Sequence, residues 1–324
     1  MTSTVRGLAT ALLFALALPV HAADAPPAPP DIAVFVARLD LTAGRISDAR
    51  NITPGTGSNF QPAFTPDGAA VVYTSGRTGS NNIFRYDMAS GVTSPVTATA
   101  ENLYSPTPLA DGSGFSAIRV ITADPAYGIE MNEPSLWRFG WDGKPVEPVV
   151  PTKRIGYHAW INADLLAAFL VDDVPQRNDH RAVLIQRESG EQTLLTTKPG
   201  RSLGRTADGK RALFVDQTDD KRWVIAAMGP GDAKPQVLVD TPPLPEGEKA
   251  SNRPQYFVAL PDGSLLMASG HRFLRWDGKA GSGFKPFADL PALGGAVRNI
   301  AASPDGTALA FSVVLAPPQP APKP

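Results

Sequence analysis

The chain has 324 residues, 43% of them apolar, and a formal net charge of −1. That balance supports a sizeable buried core and leaves no basic footprint for nucleic acid. Cysteine is absent, which removes disulfides, thiol chemistry, zinc–cysteine centres and a lipid-bearing cysteine, while 33 prolines and 29 glycines point to many short elements separated by turns.

Residues 1–22 read as a secretory leader. Arg6 supplies the basic start, residues 8–20 form an apolar run too short to span a bilayer comfortably, and Val20-His21-Ala22 places small residues at a cleavage position. Nothing basic follows the apolar run, which argues against a retained anchor. Residues 23–30 are a proline-rich spacer that cannot pair in a sheet. The mature chain is therefore expected to be exported, periplasmic or secreted, with no membrane span after cleavage.

From residue 31 the pattern is all-β. An apolar strand at 31–40 and a second at 45–53 resemble the outer half of a repeat whose complete form lies at 59–97. There a strand at 59–64 leads into Thr65-Pro66-Asp67-Gly68, where proline presets φ, aspartate suits the second central position and glycine tolerates positive φ. Strands at 69–74, 82–87 and 92–97 complete four antiparallel strands in roughly 40 residues, the size of one propeller blade.

The second blade is expected at 103–150, the third at 156–196, the fourth at 201–239 and the fifth at 255–288. The last repeat has only two strands, at 297–302 and 307–314, before a proline-rich tail at 316–324. Two strands are left over at each end. Pairing them completes a sixth blade and removes two bare edges, so the expectation is one propeller domain at 31–315, closed by its own termini.

The repeats resemble the Pro-Asp-Gly repeats of the TolB-like β-propeller family. The likeness rests on Pro62, Thr65-Pro66-Asp67-Gly68, Val71-Val72-Tyr73-Thr74-Ser75, Gly79 and Ile83-Phe84-Arg85-Tyr86-Asp87, with Pro261-Asp262-Gly263 and Pro304-Asp305-Gly306 repeating the turn. It implies a periplasmic propeller. The family type carries an α/β domain before its propeller and contacts a peptidoglycan-associated lipoprotein; strands starting at residue 31 leave no such domain in this sequence.

In such a meander the first-to-second and third-to-fourth turns share one face of the disc, and all are short. The long stretches, 122–134, 172–181 and 240–253, fall on the other face, where binding on a rigid scaffold is usual. The first residues of the innermost strands should ring the tunnel mouth there: Asn59, Phe60, Gln61, Tyr104, Tyr157, His158, Arg201, Gln255, Tyr256, Arg298 and Asn299. The predicted binding residues are Asn59, Gln61, Tyr104, Tyr157, His158, Arg201, Gln255 and Arg298. The ring is aromatic, amide and basic without a carboxylate, which suits an anionic or carbonyl-bearing group. A structural role for its arginines is the bland alternative.

Catalytic signals are weak. His158 reads as a histidine packed at a blade junction, His180 and His271 fall in other blades, and no pair has ligand spacing. Asp172, Asp173 and Asp179 read as a solvated loop rather than a calcium site. The tryptophans at 137, 141, 223 and 276 read as inter-blade packing at matching third-strand positions. The expectation is a non-catalytic, monomeric binding module without cofactor or metal, whose partner is an envelope protein or peptide. The rival is a propeller lyase or lactonase with a metal held in the tunnel by Asn59, His158 and Asn299.

Overall fold

A computed structural model describes residues 31–121, 126, 132–171, 180–244, 246–247 and 253–316. The leader, the spacer and residues 317–324 of the tail lie outside the described residues, as do most of the stretches 122–134 and 172–181, with Asp172, Asp173 and Asp179, and residues 245 and 248–252 of the third.

Six separate four-stranded antiparallel sheets surround a tunnel. Their innermost strands are β3 (Asn59–Phe64), β7 (Asn102–Pro108), β11 (Ile155–Trp160), β15 (Pro199–Arg205), β19 (Phe257–Ala259) and β23 (Gly295–Ala302). The closing sheet has the order β2-β1-β24-β23, with β1 at Ile32–Asp40, β2 at Arg45–Asn51 and β24 at Ala308–Leu315. The strands β1 and β24 pair without a break from Ile32↔Val314 to Arg38↔Ala308. The Leu39 N–H to Thr307 carbonyl bond (2.7 Å) and the Leu315 N–H to Asp31 carbonyl bond (2.9 Å) extend the ladder at both ends.

Period-two alternation builds the core. In β1, Ala33, Phe35, Ala37 and Leu39 pack toward the fifth blade, while Val34 and Val36 pack toward the first. Strand β24 divides in the same way, Leu309, Phe311 and Val313 against Ala310. Successive side chains of a strand point to opposite faces, so each inner sheet needs apolar residues at odd and even positions. That is why β4 (Ala70–Ser75) and β12 (Leu165–Leu170) are buried throughout. The result is an apolar cluster at every blade junction, six in all among the described residues. At the junction closed by the termini, Phe311 stacks on Phe35 (5.9 Å) and meets Phe273 edge-on (5.3 Å); each such ring contributes about 1.5–3 kcal/mol by burial.

The turns are built as expected. Gly68 has φ +71°, the Gly68 N–H donates to the Thr65 carbonyl (2.8 Å), and Asp67 accepts the Thr65 hydroxyl (2.6 Å) and the Ala69 N–H (3.0 Å). The hydroxyl bond is the main reason the Asp67 carboxyl lies below the usual carboxylate range. Two details differ from expectation. The fifth blade's inner strand starts at Phe257 rather than at 255, because Pro254 has no N–H and the Gln255 side chain is bonded to blade four instead. The tryptophans do pack between blades, but at different heights. Trp137 is opposite mid-strand Ala117, Trp276 is opposite Leu265 at a strand start, and Trp223 precedes the first pair of its strand.

Candidate functional site in the tunnel and at its short-turn end

Five of the six innermost strands carry a register break. In β3 and β7 it falls on Gln61-Pro62 and Ser105-Pro106, where proline removes the ladder donor. In β23 it falls at Asn299. Gln61 (φ 57°), Ser105 (φ 52°) and Asn299 (φ 28°) all take positive φ, a conformation that costs a non-glycine residue ~1–3 kcal/mol and re-aims its side chain.

The breaks give the tunnel a consistent polarity. Gln61 Oε1 accepts the Ser105 backbone N–H (2.8 Å). A backbone N–H can only donate, so this bond fixes the amide oxygen in the wall and leaves the amide NH2 without a protein partner among the described residues. Gln255 repeats the device, its Oε1 accepting the Arg201 N–H (3.3 Å). Asn299 Oδ1 accepts the Ser312 hydroxyl (3.0 Å). Arg201 has no carboxylate partner among the described residues. Burial raises the Tyr256 phenol above its ordinary value; Tyr157 adds to the shift, and Arg201 and Arg298 oppose it. Tyr256 therefore stays protonated and able to donate.

Of the predicted residues, Gln61, Tyr157, His158 and Arg201 line a tunnel cavity of about 140 Å3, together with Ser105, Tyr256 and Asn299 and without a carboxylate. The Arg298 guanidinium lies 5.7 Å from the Tyr256 ring centre, and Gln255 flanks Arg201. Asn59 and Tyr104 stand apart. Asn59 is fully buried and donates to the Ile32 carbonyl (3.2 Å), the Gly57 carbonyl (2.9 Å) and Thr56 Oγ1 (3.0 Å). The Tyr104 hydroxyl accepts the Asn81 amide (3.0 Å), and its ring stacks on Phe60 (6.1 Å).

His158 sits at the junction of blades two and three. Its Nε2 is 2.8 Å from Ser116 Oγ, which also accepts the Trp160 indole N–H (2.9 Å). Its buried Nδ1 has no partner among the described residues, and burial depresses its pKa to about 3, so the ring is neutral at physiological pH. His180 packs on Phe169, and His271 Nδ1 meets Asp289 (2.6 Å) far from His158 in the chain. Among the described residues no three His, Asp or Glu side chains converge.

A larger cavity, about 670 Å3, lies at the other end of the tunnel. It is bounded by the short turns at Pro66, Asp111, Asn162 and Pro304, and it reaches outward between blades two and three to Arg138, Glu147 and Arg187. Thr107, His158 and Leu203 are common to both cavities. Repeat-based reading missed this volume, along with Ser105, Ser116 and Arg205. The Gln-Pro and Ser-Pro pairs inside inner strands were the available signal for the bulges.

No family model and no curated protein matches the chain. Solved structures do. A putative TolB from Agrobacterium tumefaciens is 13% identical with TM-score 0.65, covering 88% of this chain and 99% of its own. TolB from Acinetobacter baumannii is 15% identical with TM-score 0.51, over 87% of this chain and 63% of its own. A gluconolactonase from Xanthomonas campestris is 14% identical with TM-score 0.57, over 90% of this chain and 99% of its own. Among the described residues no helix is long and apolar enough to cross a membrane. At these identities the likeness speaks for architecture, and the chain is a six-bladed propeller of the TolB-like fold.

Proposed function

We propose that the protein is an exported, non-catalytic binding module that takes a carbonyl- or carboxylate-bearing segment of an envelope protein or peptide at the tunnel. The observation that carries this reading is the polarity of the wall: the oxygen of Gln61, which lines the cavity with Arg201, is held by the Ser105 N–H and leaves its NH2 over, and Gln255, outside that lining, holds the Arg201 N–H in the same way. An extended peptide offers carbonyl and carboxylate acceptors to match. Export rests on the leader pattern of residues 1–22.

The test uses the full chain expressed with its leader, with a photo-crosslinking residue in place of Phe60. A periplasmic adduct is expected, and Arg201→Ala with Arg298→Ala should cut its yield about tenfold, equivalent to ~1.4 kcal/mol, with the melting temperature within about 2 °C of wild type. Undiminished yield overturns the reading, and unfolding of the double variant makes the arginines structural.

The second reading is a propeller lyase or lactonase with a metal in the tunnel, and a gluconolactonase is among the similar structures. Of its candidate ligands, the Asn59 and Asn299 oxygens already accept protein donors and His158 offers only Nδ1. A stoichiometric divalent ion in the purified protein would favour the enzyme.

A further inference from the structure

We propose that the short-turn face carries a second, separate ligand site: the 670 Å3 cavity between blades two and three, built for a small organic molecule with a flat apolar body and one carboxylate. Its volume falls within the range of small-molecule sites, roughly 300–1,000 Å3. The tunnel cavity, at about 140 Å3, is too small for such a body.

The apolar body is matched by Phe64, Val149, Leu203 and Trp160 in the lining. Trp160 is pre-set, because its indole N–H is bonded to Ser116 Oγ at 2.9 Å. Small residues keep the lining open: Ala110, Ala159 and Ala163 stand on it in place of larger side chains. The aromatic and aliphatic parts of the wall favour a ring-bearing guest, and the charged residues of the lining fix its polar end.

The carboxylate is matched by charge. The lining holds three arginines (138, 187 and 205) against Asp111 and Glu147. Glu147 is shared by Arg138 (3.6 Å) and Arg187 (3.8 Å), and Asp111 is occupied by Ser113 through its N–H (2.9 Å) and hydroxyl (2.7 Å). Arg205 alone among them has no carboxylate partner among the described residues; its one bond is a long one, 3.4 Å, to the Ile161 carbonyl. A guanidinium presents a planar fork of donors suited to a carboxylate. His158 lines this cavity as it does the tunnel one; it is 8% exposed, and its Nδ1, without a partner among the described residues, is itself closed to solvent, so the site rests on the cavity and on Arg205.

The site is distinct from the tunnel reading: Arg205 and Trp160 do not line the tunnel cavity, and Arg201 does not line this one. The experiment titrates the full chain with 2-naphthoate and with 2-naphthylmethanol, its neutral counterpart, by calorimetry and by the Trp160 indole NMR signal. Naphthoate is expected to bind once per chain and shift that signal, with the alcohol about tenfold weaker. Arg205→Gln should remove the preference for the acid, and Ala163→Trp, at an exposed rim position, should block both probes. Equal affinity for acid and alcohol overturns the proposal, as does naphthoate binding lost in Arg201→Ala but kept in Arg205→Gln. Absence of binding at millimolar probe overturns it as well.

Discussion

The tunnel cavity and the short-turn cavity share a wall of Thr107, His158 and Leu203, yet their polar groups are disposed in opposite ways. In the tunnel, acceptor oxygens are consumed by the wall and donors are left over, around a space of about 140 Å3. In the short-turn cavity, charged groups are mostly paired with one another at the edge, and about 670 Å3 of largely apolar space remains. The difference teaches that the groups left free depend on which half of each polar group is already spoken for, with one arginine lining the tunnel cavity and three lining the other. On the proposals above, the donor-lined narrow channel is expected to take backbone or carboxylate oxygens, and the roomier pocket with its unpaired guanidinium a ring with a charge at one end.

The shared wall gives the largest expected effect. The pKa of His158 is about 3 in the fold, because burial disfavours the charged ring, against 6.5 for an ordinary histidine. The unfolded chain therefore takes up a proton near pH 6.5 that the folded protein refuses until about pH 3. Stability from this residue is complete above 6.5 and drains away as pH falls toward 3, by as much as roughly 4–5 kcal/mol. Denaturation at pH 7 and pH 4 should show a smaller acid loss for His158→Gln than for wild type. Equal losses would mean the ring is not held neutral in the wall the two cavities share.

A crossover comes next. Gln61→Glu keeps an oxygen for the Ser105 N–H and converts the free NH2 into a second carboxylate oxygen. It should reduce capture of the tunnel partner about tenfold or more, since an anion now faces the incoming acceptor, and leave naphthoate binding intact. A loss at both sites would show that the two regions act as one.

The smallest effect sharpens the comparison. Glu147→Gln releases Arg138 and Arg187 from long ion pairs at 3.6 and 3.8 Å in which Glu147 is about half exposed. Stability should change by less than ~1 kcal/mol, while naphthoate affinity should rise by about two- to fivefold. Tunnel capture should not move. Unchanged naphthoate affinity would assign the carboxylate contact to Arg205 alone.

Much of this molecule was legible in its residues. The Pro-Asp-Gly turns, the period-two strands and the unpaired half-blades at the two ends led to six sheets closed by β1 against β24, because edge strands must find partners and the chain offered only each other. Four of the eight named binding residues also meet in the tunnel cavity, since innermost strands face it in any such ring. Asn59 and Tyr104 do not, because one is consumed by a buried loop and the other by stacking at a junction.

Local pattern determined the number, order and closure of the blades, because hydrogen-bond ladders and alternating burial depend on neighbours along and across strands. Only the tertiary structure decided which amide oxygens are locked, that His158 loses its charge, and that a cavity of about 670 Å3 opens at the short-turn end. Those properties arise where side chains from different blades meet, at separations such as the 42 residues between Ser116 and His158, and no periodicity along the chain encodes the volume left between them.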